Sequence, residues 1–315
     1  MLRRDFLYLS SAMALGSGLL GGCSQSMKPG EDSPGKDKKE VHRLVDIGLQ
    51  LSTVTSLMLA DFEGTLARVA EIGYNQVEFS AMGFLGRKSD YVRQLLTRHN
   101  LVAPVGRITP VLPTDFFELS RSEAVQVFRE RGRPELLLEN VRHSIADAQD
   151  LGQKYLNLPA LMPEHFQTMA QIKRTIDLLN EAGELCMEHG ILFGYHNHNW
   201  EFSPVDGVVP YDLMLEQTAP DKVSFQLDAY WVVKGGGGLE DYLTRYPGRF
   251  SSCHLKDIDQ NGDFADVGHG EIDFPAFARK ALAQGTRYFF VERDNPPAPA
   301  LSIERSFAYL KQMRF

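Results

Sequence analysis

The sequence has no excess of positive charge. Among its 315 residues, 33 are Lys or Arg and 41 are Asp or Glu, which gives a formal net charge of −8 at pH 7. Nucleic-acid-binding proteins usually present a basic face, so this balance argues against a nucleic-acid partner. The first predicted strand is not followed by a Gly-rich dinucleotide fingerprint, which argues against a Rossmann domain. The 43% of hydrophobic residues and 23% of charged residues are typical of a globular domain.

The apolar stretch near the N-terminus is too short for a permanent membrane-spanning helix. It covers Leu7–Leu20, whereas a spanning helix needs about 20 apolar residues. Residues 3–7 read RRDFL, which resembles a twin-arginine export signal, and residues 20–23 read LGGC, which resembles a bacterial lipobox. We expect residues 1–23 to be a signal peptide and Cys23 to carry the lipid. The alternative, an uncleaved N-terminal anchor, would also place the rest of the chain outside the cytoplasm.

Residues 24–40 differ in composition from the rest of the chain. They read SQSMKPGEDSPGKDKKE, without aromatic residues and with few that could enter a core. This composition predicts a flexible linker. Residues 41–315 then form the globular domain. We expect the protein to be exported, periplasmic or in the cell envelope, and to contact the membrane only through its lipid.

Cysteine is scarce, since Cys186 and Cys253 are the only cysteines beyond Cys23. An oxidising compartment would allow them to form a disulfide. However, Cys186 lies on a predicted helix and Cys253 on a predicted strand. We therefore expect two buried free thiols.

Short apolar segments alternate with helical patterns throughout residues 41–315. Eight segments predict strands: Val45–Leu51, Tyr74–Ser80, Leu101–Ile108, Lys154–Ala160, Ile191–His198, Val223–Trp231, Arg249–Asp257 and Arg287–Asp294. Helical patterns cover Phe62–Gly73, with a C-cap glycine, and Lys88–Asn100, residues 133–151, Thr168–Gly190 and Ser302–Met313. Eight such units predict a single-domain α/β protein with the (β/α)₈ TIM-barrel fold.

The late predicted strands end in polar residues of metal-binding type. These residues are His196 and His198 on the fifth, Asp228 on the sixth, His254 with Lys256 on the seventh and Glu292 on the eighth. The carboxyl ends of parallel barrel strands meet at one face, where active sites are built. Two histidines and two carboxylates suit Mn²⁺, Zn²⁺, Co²⁺ or Fe²⁺ better than Ca²⁺.

Several short motifs carry a family resemblance. The runs YHNHNWEF, QLDAYWV, CHLKD, VGHGEIDF and FVERD together resemble the xylose-isomerase-like barrel family, whose members are often called sugar phosphate isomerases/epimerases. The resemblance implies one divalent metal ion held by His196, Asp228, His254 and Glu292. It also implies a small sugar substrate, a ketose or keto-sugar, and proton removal next to a carbonyl while the metal stabilises the enediolate.

One position departs from the family pattern. Many epimerases of the family have Glu in place of His196 and use two glutamates for proton exchange, whereas here Glu292 alone remains of that pair. An isomerase, a one-base epimerase and a keto-sugar dehydratase or lyase therefore stay open. Glu292, His198 and Lys256 are the candidate catalytic residues. His198 points the same way as His196 along a strand and is the alternative metal ligand.

Four further residues are candidate substrate contacts. Glu78 lies near the end of the second predicted strand, Arg107 near the end of the third, Trp231 ends the sixth and His269 lies on the loop after the seventh. Core packing for Trp231 and surface ion pairing for Arg107 and His269 are the alternatives.

Two other classes of function are alternatives to a sugar isomerase, epimerase or lyase. A nuclease of the endonuclease IV type needs about three zinc ions and many more ligands, but the third strand offers no histidine and the fourth ends in Asn157-Leu158-Pro159. A catalytically silent sugar-binding lipoprotein would bind metal and sugar without proton exchange.

The export signal yields the first prediction. Cys23→Ser should release the protein from the membrane fraction, because a lipid and not a spanning helix is the expected anchor. Replacing Arg3 and Arg4 together with Lys should retain it in the cytoplasm. Cell fractionation with immunoblotting measures both effects. Unchanged export of the double variant would indicate the general secretory route instead.

Overall fold

A computed structural model describes residues 42–315 of the chain. The predicted signal peptide, the lipidation site Cys23 and the predicted linker lie outside the described residues. Across residues 42–315, no helix is both long enough and apolar enough to cross a membrane.

Eight parallel strands form the central sheet, and a short antiparallel hairpin lies outside it. In chain order the strands are β1 (Gly48–Gln50), β2 (Gln76–Glu78), β3 (Val105–Arg107), β4 (Tyr155–Leu158), β5 (Leu192–His196), β6 (Val223–Asp228), β7 (Phe250–Leu255), the hairpin strands β8 (Asp257–Ile258) and β9 (Phe264–Ala265), and β10 (Tyr288–Val291). The order within the sheet is β2-β1-β10-β7-β6-β5-β4-β3. A parallel bridge between Gln76 and Val102 joins the two edges, so the barrel is nearly closed. The predicted (β/α)₈ fold is confirmed.

Helices surround the barrel. They are α1 (Thr55–Ala60), α2 (Phe62–Ile72), α3 (Ser89–Arg98), α4 (Arg121–Arg131), α5 (Leu137–Asp150), α6 (Met169–Glu188), α7 (Pro210–Gln217), α8 (Ala229–Lys234), α9 (Leu239–Arg245), α10 (Phe274–Ala283) and α11 (Pro299–Gln312). Short 3₁₀ helices cover Leu51–Val54, Phe116–Glu118, Pro134–Leu136, Pro163–Phe166 and Trp200–Phe202. The helix α4 and the β8–β9 hairpin are not predicted by the sequence patterns.

Helix α2 shows how local sequence sets these boundaries. The Asp61 side chain accepts a hydrogen bond from the Gly64 N–H at 2.9 Å and caps the helix start. Gly73 ends the helix with a φ of 118°, a conformation that glycine adopts without strain. Between them, Phe62, Thr65, Leu66 and Val69 recur at helical spacing and are buried. The predicted C-cap glycine is confirmed.

The sixth strand is shorter than its sequence predicts. The predicted strand Val223–Trp231 ends at Asp228, and α8 begins at the next residue. The reason is that the Asp228 side chain accepts the Trp231 N–H at 3.0 Å and so caps α8. The expectation for the cysteines is confirmed, since Cys186 on α6 and Cys253 on β7 are both buried and free.

The inward face of α2 yields a stability prediction. Leu66 is 0% exposed, so Leu66→Ala should lower the free energy of unfolding by about 2–5 kcal/mol. Leu59 on α1 is 57% exposed. The control Leu59→Ala should therefore change the free energy of unfolding by less than about 0.5 kcal/mol. Urea denaturation followed by circular dichroism measures both. Equal losses in the two variants would contradict the placement of α2 against the core.

Candidate functional site

Four polar side chains meet at the carboxyl ends of four neighbouring strands. His196 and Asp228 are the last residues of β5 and β6, His254 lies near the end of β7, and Glu292 directly follows β10. All four are buried, and one candidate ligand atom from each lies within 4.8 Å of the others. This buried cluster could bind a metal ion.

In each of the two histidine rings, one nitrogen faces a hydrogen-bond acceptor that fixes the orientation of the ring. The Pro159 carbonyl lies 3.0 Å from Nδ1 of His196, and a Glu78 carboxylate oxygen lies 2.6 Å from Nε2 of His254. Because a carbonyl accepts a hydrogen bond, the His196 ring proton is assigned to Nδ1, whereas both nitrogens of His254 face carboxylates, Nε2 that of Glu78 and Nδ1 that of Glu292 at 2.7 Å. The remaining nitrogens, Nε2 of His196 and Nδ1 of His254, lie 3.2 Å apart inside the cluster.

The two carboxylates are arranged in the same way. Asp228 uses Oδ1 to accept the Trp231 N–H, and its Oδ2 lies 3.3 Å from Nε2 of His196. Glu292 uses Oε1 to accept the Ser52 hydroxyl at 3.0 Å, and its Oε2 lies 2.7 Å from Nδ1 of His254. Each of the four residues thus has one atom held by a neighbour and one atom directed into the cluster, as a preorganised metal site requires.

The surrounding charges favour the ligand forms of three residues. Burial, reinforced by Arg107, lowers the pKa of His196 to about 4, so this ring is neutral. Burial alone would raise the pKa of Asp228 and of Glu292, but Lys256 and the neighbouring histidines outweigh it and hold both pKa values below their usual range. His254 differs, because Glu292 and Glu78 outweigh burial and raise its pKa. A metal ion therefore competes with a proton at this ring.

Lys256 lies between the cluster and a carboxylate that sequence reasoning missed. Its ammonium is 3.2 Å from Glu292 Oε2 and 2.7 Å from Asp294 Oδ2. Burial opposes the charge, but Glu292, Asp228 and Asp294 outweigh it and raise the pKa of Lys256, which keeps the ammonium charged. Asp294 stands two residues beyond Glu292, and this spacing could have indicated it.

Glu78 and Arg107 form a buried ion pair beneath the cluster. Arg107 Nε lies 3.3 Å from Glu78 Oε1, and the amides of Gln50 and Gln226 each donate to the Glu78 carboxylate at 3.0 Å. Arg107 is therefore not part of a surface ion pair. Glu78 is directed at His254, whereas Arg107 also lines the cavity described below. Their predicted contacts with substrate stay predictions.

His198 lies apart from the four-residue cluster. Its ring stacks on Trp200, with centroids 4.4 Å apart and planes 6° from parallel, and lies 5.1 Å from the Trp231 ring. Trp231 also lies beneath the Lys256 ammonium, 5.1 Å from its ring centroid. His269 is exposed and does not line the cavity. Whether Trp231 and His269 contact a substrate stays a prediction.

A second residue that sequence reasoning missed holds His198 in place. The Glu201 carboxylate, buried in the fold, accepts the His198 backbone N–H at 3.0 Å and the Tyr195 hydroxyl at 2.6 Å. Burial raises the pKa of Glu201 to about 7. Because a glutamate three residues after a polar strand end is common, no sequence signal distinguishes it.

A cavity of about 550 Å³ opens above the cluster. This volume falls within the range of pockets that enclose small molecules. Its floor is polar, and the polar residues that line it there are Gln50, Ser52, Arg107, His196, His198, Lys256, Glu292 and Asp294. A substrate in this cavity would therefore reach two of the candidate ligands and all three candidate catalytic residues.

The cluster yields a prediction about metal content. After equilibration with Mn²⁺ and desalting, the protein should retain about one ion per chain. His254→Ala should retain far less, because it removes one of the four candidate ligand atoms. The exposed-site control His269→Ala should match the unaltered protein. Plasma mass spectrometry measures the metal, and equal retention by His254→Ala would exclude this cluster as the site.

Comparisons with known proteins bear on the family and the fold of the chain. Residues 66–313 match the family described as xylose isomerase-like TIM barrel. Inosose dehydratase of Bacillus cereus (strain AH820) is 24% identical over 265 residues, which cover 77% of this chain and 85% of that protein. A solved structure of a sugar phosphate isomerase/epimerase from Parabacteroides distasonis ATCC 8503 is 26% identical with a TM-score of 0.72, covering 85% of this chain and 98% of that chain.

A second solved structure, that of the IOLI protein with a bound zinc atom, shares the fold. It is 15% identical with a TM-score of 0.57 and covers 85% of this chain and 95% of that chain. Since the family match spans well over half of the sequence, the chain belongs to the xylose isomerase-like TIM-barrel family.

Proposed function

We propose that this protein is a metal-dependent isomerase or epimerase that acts on a ketose or keto-sugar. One observation carries the proposal. His196, Asp228, His254 and Glu292 each direct one ligand atom into a common buried cluster below a polar-floored cavity. The donor set fits Mn²⁺, Zn²⁺, Co²⁺ or Fe²⁺, and a zinc atom in a protein of the same fold supports a metal here. When bound, such an ion supplies Lewis-acid polarisation of a substrate oxygen.

Proton transfer falls to residues at the cavity floor. Glu292 accepts the proton from the carbon next to the carbonyl, and the electron pair of that C–H bond forms a C=C bond as the carbonyl oxygen becomes negative. The Lys256 ammonium, 3.2 Å from Glu292, is placed to donate a proton to that oxygen. Return of a proton to the former carbonyl carbon, with loss of the hydroxyl proton on the first carbon as the new carbonyl forms there, gives an isomer. Return of a proton to the opposite face of the first carbon, with loss of the enol proton as the original carbonyl forms again, gives an epimer.

His198 is the alternative base. Its ring lines the cavity, and its Nδ1 is buried without a hydrogen-bond partner among the described residues. An imidazole in this position could accept a proton from a substrate that lies on the polar floor. Glu292 is preferred because its carboxylate is held by Ser52 and faces Lys256 directly.

A keto-sugar dehydratase or lyase is the second candidate. Its reaction starts with the same proton removal, but the hydroxyl on the next carbon then leaves as water. The similarity to inosose dehydratase over 85% of that protein favours this outcome. The presence of His196 where many epimerases have Glu also favours it, because the site then lacks the second glutamate for symmetric exchange.

The N-terminal sequence supports a compartment outside the cytoplasm for the proposed reaction. A twin-arginine-type signal followed by a lipobox at Cys23 supports an exported, lipid-anchored enzyme. In that compartment its partner is a small sugar rather than nucleic acid, with the membrane contacted through the lipid alone.

Solvent exchange tests the proposed chemistry. The Mn²⁺-loaded protein, incubated in D₂O with a panel of ketoses and keto-sugars, should incorporate deuterium next to the carbonyl of at least one of them. Glu292→Gln should slow this exchange by about 10²–10⁴-fold, because an amide cannot accept the proton. NMR measures exchange, and metal content is measured on the same samples. The control is Glu271→Gln at an exposed glutamate, which should exchange normally.

Three results would change the assignment. Full activity of Glu292→Gln with full metal content would remove Glu292 from the mechanism. Lost metal, with activity restored by excess Mn²⁺, would make it a ligand only and transfer the base to His198 or Lys256. A metal-loaded protein that exchanges none of the sugars would indicate a sugar-binding protein without catalysis.

A further inference from the structure

The cavity above the cluster has two ends of different chemistry. Its floor is the polar surface described above. Its outer wall comes mainly from the long connections after β3 and β4 and combines apolar side chains with the polar side chains of Arg129, Arg133, Asn140, Glu164 and His165. The apolar residues of this wall are Pro110, Phe128, Pro134, Leu137, Leu161 and Met162. A ligand that fills the whole cavity must therefore have a polar end and an apolar end.

Phe128 and Met162 are not used to build the core. None of the described side chains of α4, which carries Phe128, is buried, and Phe128 itself is half-buried against the cavity. Met162 is 43% exposed. When a ligand covers apolar side chains that would otherwise face water, the free energy of the complex falls. These two residues thus provide apolar surface available to a ligand.

We infer that the outer wall is a subsite for an aromatic aglycone, so that the substrate is a keto-glycoside rather than a free sugar. This inference rests on the proposed function, because it places the sugar ring at the metal cluster. A cavity of about 550 Å³ is large for a single sugar ring and is of the size that encloses drug-sized ligands. In a glycoside the anomeric carbon is blocked, so the reacting carbonyl lies elsewhere on the ring.

Two arginines favour an aromatic group over an aliphatic one. Arg129 and Arg133 line the same outer wall, and within residues 42–315 neither forms an ion pair with a carboxylate. A guanidinium stacks well on an aromatic face. The same guanidiniums would also attract a phosphate. The experiment must therefore distinguish an aromatic glycoside from a sugar phosphate.

Binding of matched probes tests the subsite. Both tryptophans of the chain, Trp200 and Trp231, lie against His198 at the cavity floor, so their fluorescence reports occupancy. The Mn²⁺-loaded protein is titrated with methyl and phenyl 3-keto-β-D-glucopyranoside and with fructose 6-phosphate. The phenyl glycoside should bind about tenfold or more tightly than the methyl glycoside, because its ring is removed from water.

A substitution in the wall provides the control. Phe128→Ala should bring the two glycosides to within about threefold of each other while leaving the methyl glycoside unchanged. Val125→Ala, at a 46% exposed position of the same helix that does not line the cavity, should keep the full preference. Circular dichroism confirms that both variants fold.

The outcomes separate this inference from the proposed function. Equal dissociation constants for the two glycosides, including no measurable binding of either, would overturn the subsite. Tighter binding of fructose 6-phosphate than of the phenyl glycoside would overturn it in favour of an anion. Deuterium exchange is measured on the same probes. A phenyl preference without exchange keeps the subsite and rejects the proposed chemistry, whereas exchange without a phenyl preference does the opposite.

Discussion

The site depends on the hydrogen-bonded register of four adjacent parallel strands, β5, β6, β7 and β10. Asp228 lies directly opposite His254. His196 pairs with Gln226, two residues before Asp228, and His254 pairs with Phe290, two residues before Glu292. Because side chains alternate along a strand, a shift of two residues keeps them on the same face. The register therefore directs all four side chains to the same inward face of the barrel, near the carboxyl ends of the strands.

Buried charge is the second constraint on the site. Four carboxylates, the buried ones of Glu78, Asp228 and Glu292 and the partly exposed one of Asp294, share the region with the guanidinium of Arg107 and the ammonium of Lys256. The carboxylates thus exceed these permanent cations by two charges. A buried imbalance of this kind is costly unless a further positive charge enters. Without metal, the His254 ring supplies part of that charge, because its raised pKa favours the protonated form. A divalent ion would supply all of it, which is why the arrangement suits a cation.

The two ends of the cavity have different structural origins. The floor is built from strand ends and the residues just after them, where hydrogen bonds fix the positions of the ligand atoms. The outer wall is built from the connections after β3 and β4, including α4, which buries none of its described side chains. In barrels of this kind the loops vary while the strands hold the chemistry. The proposed reaction therefore depends on the floor, and the proposed substrate class depends on the wall.

The sequence alone determined the fold and the positions of the polar strand ends. Apolar segments of strand length alternate with helical patterns, and this periodicity is local, so it can be read without the structure. It also placed His196, Asp228, His254 and Glu292 at neighbouring strand ends. It could not fix where β6 stops, because the capping of α8 by Asp228 becomes visible only with its hydrogen bond. Nor could it predict α4, whose polar sequence lacks a buried face.

Only the tertiary structure decided which side chains meet. Along an extended strand His196 and His198 are equivalent, but β5 ends at His196 and the chain then turns, so His198 stacks on Trp200 instead of joining the cluster. Glu78 lies on β2, which is not a neighbour of β7 in the sheet, yet its carboxylate reaches His254 across the barrel. Contacts of this kind depend on barrel closure, which brings together residues far apart in sequence and leaves no local pattern.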